Sequence, residues 1–286
     1  MTFPKRSAIF WHNLAKEDEM VKNPLVSFVV VTHDRPFELV KKRIIKSIAC
    51  QNYSNKELII IGEDRPSVQQ LADEVQKKLK FEQVRWKNIP RSKKETEKCI
   101  WERVAVCRNA GISLAHGEFI SCQDDDNELE NDFTSSLLKI INSKTEDAAW
   151  SYRKAVMPDG SPFLGNFFPW VDNDPIRRRI LYQIWKDARI FQPGSDIIRD
   201  QLCAKRNSEQ FSTVDPNEWL VRASVFRQIP YRERYNYLAI SYNITFDDLW
   251  NIDICNAGVN AVCSKKVGLI YYLGGLSNTI PDSGQI

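Results

Sequence analysis

The hydrophobic positions of the chain fall into short β-branched runs that alternate with longer stretches of helical spacing. Leu25-Val-Ser-Phe-Val-Val-Val31 is bounded by Pro24 and the polar Thr32-His33-Asp34-Arg35-Pro36, and a run of this kind suits a strand buried on both faces. Between Phe37 and Cys50, Leu39, Val40, Ile44, Ile45 and Ile48 recur near a helical period among lysines and arginines, as in an amphipathic helix. Lys56 to Ile61 repeats the strand signal, Gly62-Glu63-Asp64-Arg65-Pro66 breaks it, and Val68 to Leu79 is helical in spacing. The pattern then predicts a short strand at Val84-Arg85-Trp86 and a helix over Trp101 to Leu114 that stops near Gly117. A strand over Glu118 to Cys122 follows and runs into Gln123-Asp124-Asp125-Asp126-Asn127. Alternating units of this kind argue for an α/β fold with a mostly parallel sheet and helices on both faces.

Beyond Asn131 the pattern is less regular. It predicts a helix at Phe133 to Asn142, a strand near Ala148 to Arg153, a turn at Pro158-Asp159-Gly160 and a helix from Asp174 to Arg189. Glu218 to Phe226 and Phe246 to Ala257 are two further elements, and Val259 to Tyr272 reads as two short strands around Ser264-Lys-Lys-Val. No internal repeat, low-complexity tract or linker divides the chain. Residues 24–133 and 134–286 are therefore read as two halves of one domain, with 1–23 as an N-terminal extension. Open α/β sheets bind ligands at the carboxyl ends of their strands. That rule singles out three loops, Thr32 to Pro36, Gly62 to Pro66 and Gln123 to Asn127, and predicts that they converge at one edge.

Composition narrows the classes. A length of 286 residues suits one large domain or two closely joined halves, and a hydrophobic fraction of 43% with 27% charged residues excludes fibrous and disordered chains. The net charge of +3 is too small to argue for nucleic acid, and no basic stripe with interleaved aromatics appears, so no nucleic-acid partner is expected. Seven cysteines without a CxxC pair fit neither a disulfide framework nor a structural zinc site and are read as reduced thiols of a cytoplasmic protein. Met1 to Asn23 has no apolar core of signal-peptide length, and the apolar runs Phe28 to Val31 and Leu58 to Ile61 fall far short of the ~20 residues that cross a bilayer. Any membrane contact is expected to be peripheral.

The chemistry concentrates in Asp124-Asp125-Asp126. Neighbouring carboxylates repel unless a cation or firm hydrogen bonds offset them. Oxygen ligands suit Mg2+ and Mn2+, which take one or two protein carboxylates and accept substrate phosphates for other positions. A solvated acidic turn is the competing reading, and it weakens because the triplet follows a buried strand. His12, His33 and His116 form no metal pair by spacing. Arg177-Arg178-Arg179 reads as a solvated helix face, although it could also attract a phosphorylated or lipid-linked acceptor.

The segment Cys107-Arg-Asn-Ala-Gly-Ile-Ser-Leu-Ala-His-Gly-Glu-Phe-Ile-Ser-Cys-Gln-Asp-Asp-Asp-Asn127 resembles the part of family 2 inverting glycosyltransferases that runs from an Ala-Arg-Asn-x-Gly helix into the DxD motif. Val29-Val-Val-Thr-His-Asp-Arg-Pro36 is similar to that family's first strand and Thr-Tyr-Asn-Arg-Pro loop. With Gly62-Glu63-Asp64 the similarity covers residues 24 to 133 in order, which is more specific than any single motif. The resemblance implies a GT-A fold, with a Rossmann-like, mostly parallel central sheet flanked by helices and a smaller acceptor-side subregion. It also implies a metal-dependent transfer, with inversion, from a nucleotide diphosphate sugar to an acceptor hydroxyl in glycan or polysaccharide synthesis. A UDP-sugar is the first candidate donor, and a glycan, lipid-linked glycan or protein is the acceptor. A nucleotide-sugar-binding protein without catalysis and a nucleotidyltransferase are the alternatives. The second of these lacks the glycine-rich loop expected after the first strand.

The resemblance also assigns roles by position. Thr32, His33, Asp34 and Arg35 would lie against the nucleotide, and Glu63 or Asp64 would bond the base. Arg103 or Arg108 would hold the nucleotide, by the fork geometry that suits guanidinium to phosphate. Asp126 would bind the metal, with Asp124 and Asp125 on ribose or metal-bound water and Asp124 a second candidate ligand. Thr245-Phe-Asp-Asp-Leu-Trp250 looks like the family's Glu-Asp-x-Asp-Leu-Trp segment, which makes Asp247 and Asp248 candidates for the base of an inverting transfer. Helix capping is the other role for either of them. Asp215-Pro-Asn-Glu-Trp-Leu-Val-Arg222 resembles the acceptor-lining strand, with Trp219 able to stack on a sugar or, alternatively, to pack in the core. Val267 to Asn278 contains no histidine to complete a metal site.

Overall fold

The computed structural model describes residues 23–91, 99–141, 146–165, 167–170, 174–206, 209–242 and 244–275. The predicted N-terminal extension, apart from Asn23, lies outside the described residues. The elements run β1 (Val26–Thr32), α1 (37–49, with a π-helical turn over Lys41–Ile45), β2 (Lys56–Glu63), α2 (Val68–Lys78), β3 (Val84–Ile89), α3 (Ile100–Leu114) and β4 (Phe119–Asp124). Next come β5 (Glu128–Leu129), α4 (Phe133–Ile141), β6 (Ala148–Val156), α5 (Pro175–Asp187), β7 (Ile197–Ile198), β8 (Ala204–Arg206) and β9 (Glu209–Phe211). A 3-10 turn at Pro216–Glu218 leads into β10 (Trp219–Arg222), α6 (Ala223–Gln228), α7 (Tyr237–Ser241), α8 (Phe246–Ala257) and β11 (Ala261–Tyr272).

The main sheet has nine strands in the order β3-β2-β1-β4-β10-β6-β11-β5, with β7 beside β6. β3, β2, β1 and β4 are parallel, β10 is antiparallel to both of its neighbours, and β11 is parallel to β6. Period-2 alternation sends β1 side chains to two cores. Phe28 and Val30 join Val40, Ile44, Val68 and Leu71 of α1 and α2 on one face, and Val29 joins Ala105 and Cys107 of α3 on the other. Gly111 lets α3 lie close on the sheet, since a Cβ there would stand 2.3 Å from Val29 Cγ1. In register, Thr32 pairs with Gly62 and Val31 with Asp124. The three predicted loops therefore leave the sheet at one edge, as the strand order requires.

Several expectations need correction. Within Val259 to Tyr272 there is one strand, Ala261–Tyr272, not two. Its register slips between Cys263 and Val267, with Lys265 at φ 57°, so the polar Ser264-Lys-Lys is a bulge inside a continuous ladder. Glu218 to Phe226 divides into turn, strand and helix, and the short strands β5, β7, β8 and β9 carry no period long enough to be read. The thiols are not all reduced. Cys203 and Cys255 form a disulfide across a sequence separation of 52, while Cys50, Cys99, Cys107, Cys122 and Cys263 are free. No local spacing could announce that pair, because the bond joins the segment before β8 to the far end of α8.

Candidate active site

At the end of β1 the chain turns outward with its polar groups held by β2 and the residues after β3. Thr32 is buried, and its hydroxyl accepts from Arg65 Nη1 at 2.9 Å. His33 Nδ1 donates to the Glu63 carbonyl at 2.9 Å while Nε2 accepts from Arg91 Nη2 at 3.1 Å, an arrangement that places the ring proton on Nδ1. Asp34 is exposed at the rim. The Glu63 carboxylate faces the cleft and meets Arg91 at 3.0 Å and Arg103 at 3.4 Å. Asp64 is exposed with φ 52°, and its Oδ1 accepts from the Arg91 backbone N–H at 3.3 Å. Of the two candidate base-binding carboxylates, only Glu63 lines the cleft.

The acidic triplet is divided among different partners. Asp124 ends β4, with Oδ1 bonded by the fully buried Arg108 and Oδ2 accepting from Asn217 Nδ2 at 2.7 Å. Against the cost of burial, the Asp124 carboxylate raises the Arg108 pKa. Asp125 and Asp126 both meet Arg35, at 2.8 Å to Nε and 2.8 Å to Nη2 respectively, and Arg43 donates to the Asp126 carbonyl at 3.0 Å. Burial first, and then the Asp124 charge, pushes the Asp126 carboxyl up to about 7, while Arg35 pulls it down.

Across the cleft, α8 begins with a capping box. Thr245 Oγ1 donates to Asp248 Oδ2 at 2.8 Å, and the Asp248 N–H returns to Thr245 Oγ1 at 3.3 Å. Asp248 is thereby turned back onto the helix end, whereas Asp247 lines the cavity. Burial, and next the neighbouring charges of Asp248 and Asp215, push the Asp247 carboxyl up to about 8. Trp219 is not in the cleft: it is 1% exposed, packed between Trp150 and Trp250 at ring separations of 5.3 and 5.6 Å. Its strand is central in the sheet, so both of its faces are core.

The cavity enclosed by these groups measures about 420 Å³. Its lining brings together His33, Asp34, Arg35, Glu63, Arg103, Asp124, Asp125, Asp126 and Asp247 from the sequence-predicted set. Arg91, Trp101, Trp170, Asp215, Phe246 and Tyr271 also line it and were not foreseen as site residues. Asp215 had a visible signal, since Asp-Pro-Asn-Glu has the form of a capped turn, and Asp215 with Glu218 forms a capping box there. Arg153 donates to Asp215 at 2.7 Å and pairs with Asp200 at 2.9 Å, behind the cleft wall. Among the described residues, no group of three or more His, Cys, Asp or Glu side chains forms a metal cage. The donor set suits a hard cation held by one or two carboxylates and completed by substrate phosphate. Both Asp124 oxygens carry a hydrogen bond, from Arg108 and Asn217, whereas Asp125 and Asp126 each pair with Arg35 through one oxygen.

Three structures of S. aureus TarS are similar to this fold. TarS 1–349 in complex with UDP is 17% identical, with a TM-score of 0.52 over 87% of this chain and 60% of that one. TarS 1–349 alone gives 17% and 0.51 over 86% and 60%, and the longer TarS gives 16% and 0.51 over 87% and 36%. The chain thus spans about three fifths of the length of TarS 1–349. The likeness shows the fold, the GT-A architecture that the resemblance implied. No curated protein sequence matches at a significant level. The sequence profile described as "Glycosyl transferase family 2" matches residues 27–188, more than half of the 286 residues. The chain belongs to glycosyl transferase family 2.

Proposed function

We propose that this protein transfers a sugar, with inversion, from a nucleotide diphosphate donor to an acceptor hydroxyl, with Mn2+ or Mg2+ at Asp126 and Asp125. The observation that carries the reading is the meeting of Asp124-Asp125-Asp126, Arg35 and Asp247 in one cavity at the carboxyl edge of the sheet. UDP is the favoured nucleotide because the similarly folded TarS 1–349 has been crystallised in complex with UDP.

In this reading Glu63 and His33, fixed by Arg91, stand where the base would lie. Arg35 and Arg103 would face the diphosphate, where fork-shaped donors suit phosphate oxygens. A bound divalent cation would supply charge stabilisation for the leaving diphosphate. Asp247 would accept the proton of the acceptor hydroxyl while that oxygen bonds to the anomeric carbon and the bond to the diphosphate breaks on the opposite face. Once ionised, a carboxylate whose pKa is pushed up to about 8 is a stronger proton acceptor than an ordinary one. Asp248, committed to the helix cap, would support the base without acting as one.

The test is a calorimetric titration of UDP with and without Mn2+, followed by donor hydrolysis in the presence of Mn2+ and of chelator. Binding and hydrolysis that both require the metal support the full reading. Binding without hydrolysis would favour a nucleotide-sugar-binding protein, and no binding of UDP or any other nucleoside diphosphate would overturn the donor assignment.

A further inference from the structure

Asn217 sits on the Pro216–Glu218 turn, fully buried, and commits its whole side-chain amide to Asp124 and Asp215. Nδ2 donates to Asp124 Oδ2 at 2.7 Å and to Asp215 Oδ1 at 2.6 Å, and Oδ1 accepts from the Asp124 backbone N–H. With donors and acceptor divided in this way the amide has a single orientation. The turn that presents it is rigid: Pro216 fixes its first position, Asp215 and Glu218 close a capping box, and Arg153 anchors Asp215 Oδ2 at 2.7 Å. Arg153, Asp200, Asp215 and Glu218 are all buried. Burying so many ionisable groups is a poor source of stability, but it can hold a geometry. Asn217 is not among the residues that line the cleft, so its effect on any ligand passes through Asp124.

We propose that Asn217 is a positioning residue. With Arg108 it clamps both oxygens and the backbone N–H of Asp124, and so sets the register in which Asp125 and Asp126 face the donor. Asp124 is then the anchor of the acidic loop. The inference rests on the donor reading for its functional consequence, while the clamp itself can be measured without a ligand.

The experiment compares N217A and the isosteric N217D with S27A. Ser27 is buried at the opposite end of β1, bonded to Glu57 at 2.6 Å and to the Gly117 N–H at 2.8 Å, so its loss disturbs the fold without touching the acidic loop. Hydrogen exchange of the 123–127 segment should accelerate about tenfold or more in both Asn217 variants, the worth of one buried hydrogen bond, and stay at the wild-type rate in S27A. UDP affinity measured with Mn2+ should fall about 10–100-fold in the Asn217 variants and hold in S27A. Unchanged exchange at 123–127, or an equal acceleration in S27A, overturns the clamp. If the wild-type protein binds no UDP, the donor reading fails on its own, and the exchange comparison still decides the clamp. N217D keeps the side-chain volume while replacing donors with an acceptor, so it tests the clamp even if N217A does not fold.

Discussion

Replacing Asp247 with asparagine separates the two consequences of burying a carboxylate at the end of α8. Its carboxyl moves from an ordinary 3.8 to about 8. At about 1.4 kcal/mol per pKa unit, that shift sets a ceiling of about 5–6 kcal/mol on the cost of ionising it in the fold. The side chain is only half-buried at a water-accessible cleft and shares its field with Asp248, so about 1–3 kcal/mol is the expected realised cost. The sign follows from linkage. A carboxyl with a raised folded pKa costs nothing below about 4, costs progressively more between about 4 and 8, and exerts its full penalty above about 8. D247N cannot ionise, so its melting temperature should match wild type near pH 4 and exceed it increasingly toward pH 8. Turnover should behave in the opposite way. Wild-type kcat/KM should rise with pH as Asp247 ionises, and D247N should lose about 10²–10⁴-fold. Differential scanning fluorimetry across pH and a coupled assay for UDP release measure the two effects. A flat difference in melting temperature would refute the burial account, and turnover of D247N within tenfold of wild type would refute the proposed role of Asp247 as base.

D248A removes the capping partner of Thr245 and should cost about 1 kcal/mol of stability, with a smaller loss of turnover than D247N; chemical denaturation and the same release assay compare them. D126N keeps a hydrogen-bond partner for Arg35 and should match the wild-type melting temperature near pH 4 and exceed it modestly above about pH 7, since burial raises that carboxyl, while donor turnover falls at least about 100-fold and manganese binding, read by electron paramagnetic resonance, weakens. C255S opens the Cys203–Cys255 disulfide, whose separation of 52 residues corresponds to about 4 kcal/mol of chain entropy. A loss of about 2–4 kcal/mol in urea denaturation is expected, and reductant should reproduce it in the wild-type protein. G111A drives a methyl group to within 2.3 Å of Val29 Cγ1 and should cost about 1–3 kcal/mol by overpacking, also read by denaturation.

Among the described residues, the first half was legible chiefly because β1 and β2 are β-branched runs and α2 carries one clear apolar stripe. The predicted and observed elements from β1 to β4 differ mainly at their ends, with α1 closing at 49 and β3 extending to Ile89. The strand over 119–124 also takes in Asp124, so the acidic triplet begins inside the sheet. The second half was harder because, apart from β6, its strands are short or interrupted by a polar bulge, as at Ser264-Lys-Lys. The site was legible to the same degree as the strands that hold it. Asp124, Asp125, Asp126 and Arg35 follow from strand ends. Trp219 could not be assigned a face by its period because β10 is covered on both sides. Asp247 and Asp248 are adjacent, and adjacency alone cannot rank them. The separating signal was present nonetheless: Thr245 precedes Asp248 by three residues, the spacing of a capping box, so Asp248 pairs with the N-cap Thr245 and Asp247 is left for the cleft.

What no local pattern could show is which residues meet across the sheet order. β10 follows β4 by 95 residues yet lies directly beside it, with Val221 opposite Ile120. Strand pairing of that kind places the Pro216–Glu218 turn against Asp124, and with it a ladder of buried groups from Arg153 through Asp215 and Asn217 to Arg108. The acidic loop of the first half therefore takes part of its geometry from the second, through Asn217, beside Arg35, Arg43 and Arg108 of the first. A fragment ending near residue 133 would retain the acidic sequence and Arg108 but lose Asn217, and with it one of the two groups that hold Asp124. Such a fragment should bind metal and nucleotide weakly even if its parallel strands assembled, because three carboxylates without a fixed orientation repel one another more readily than they share a cation.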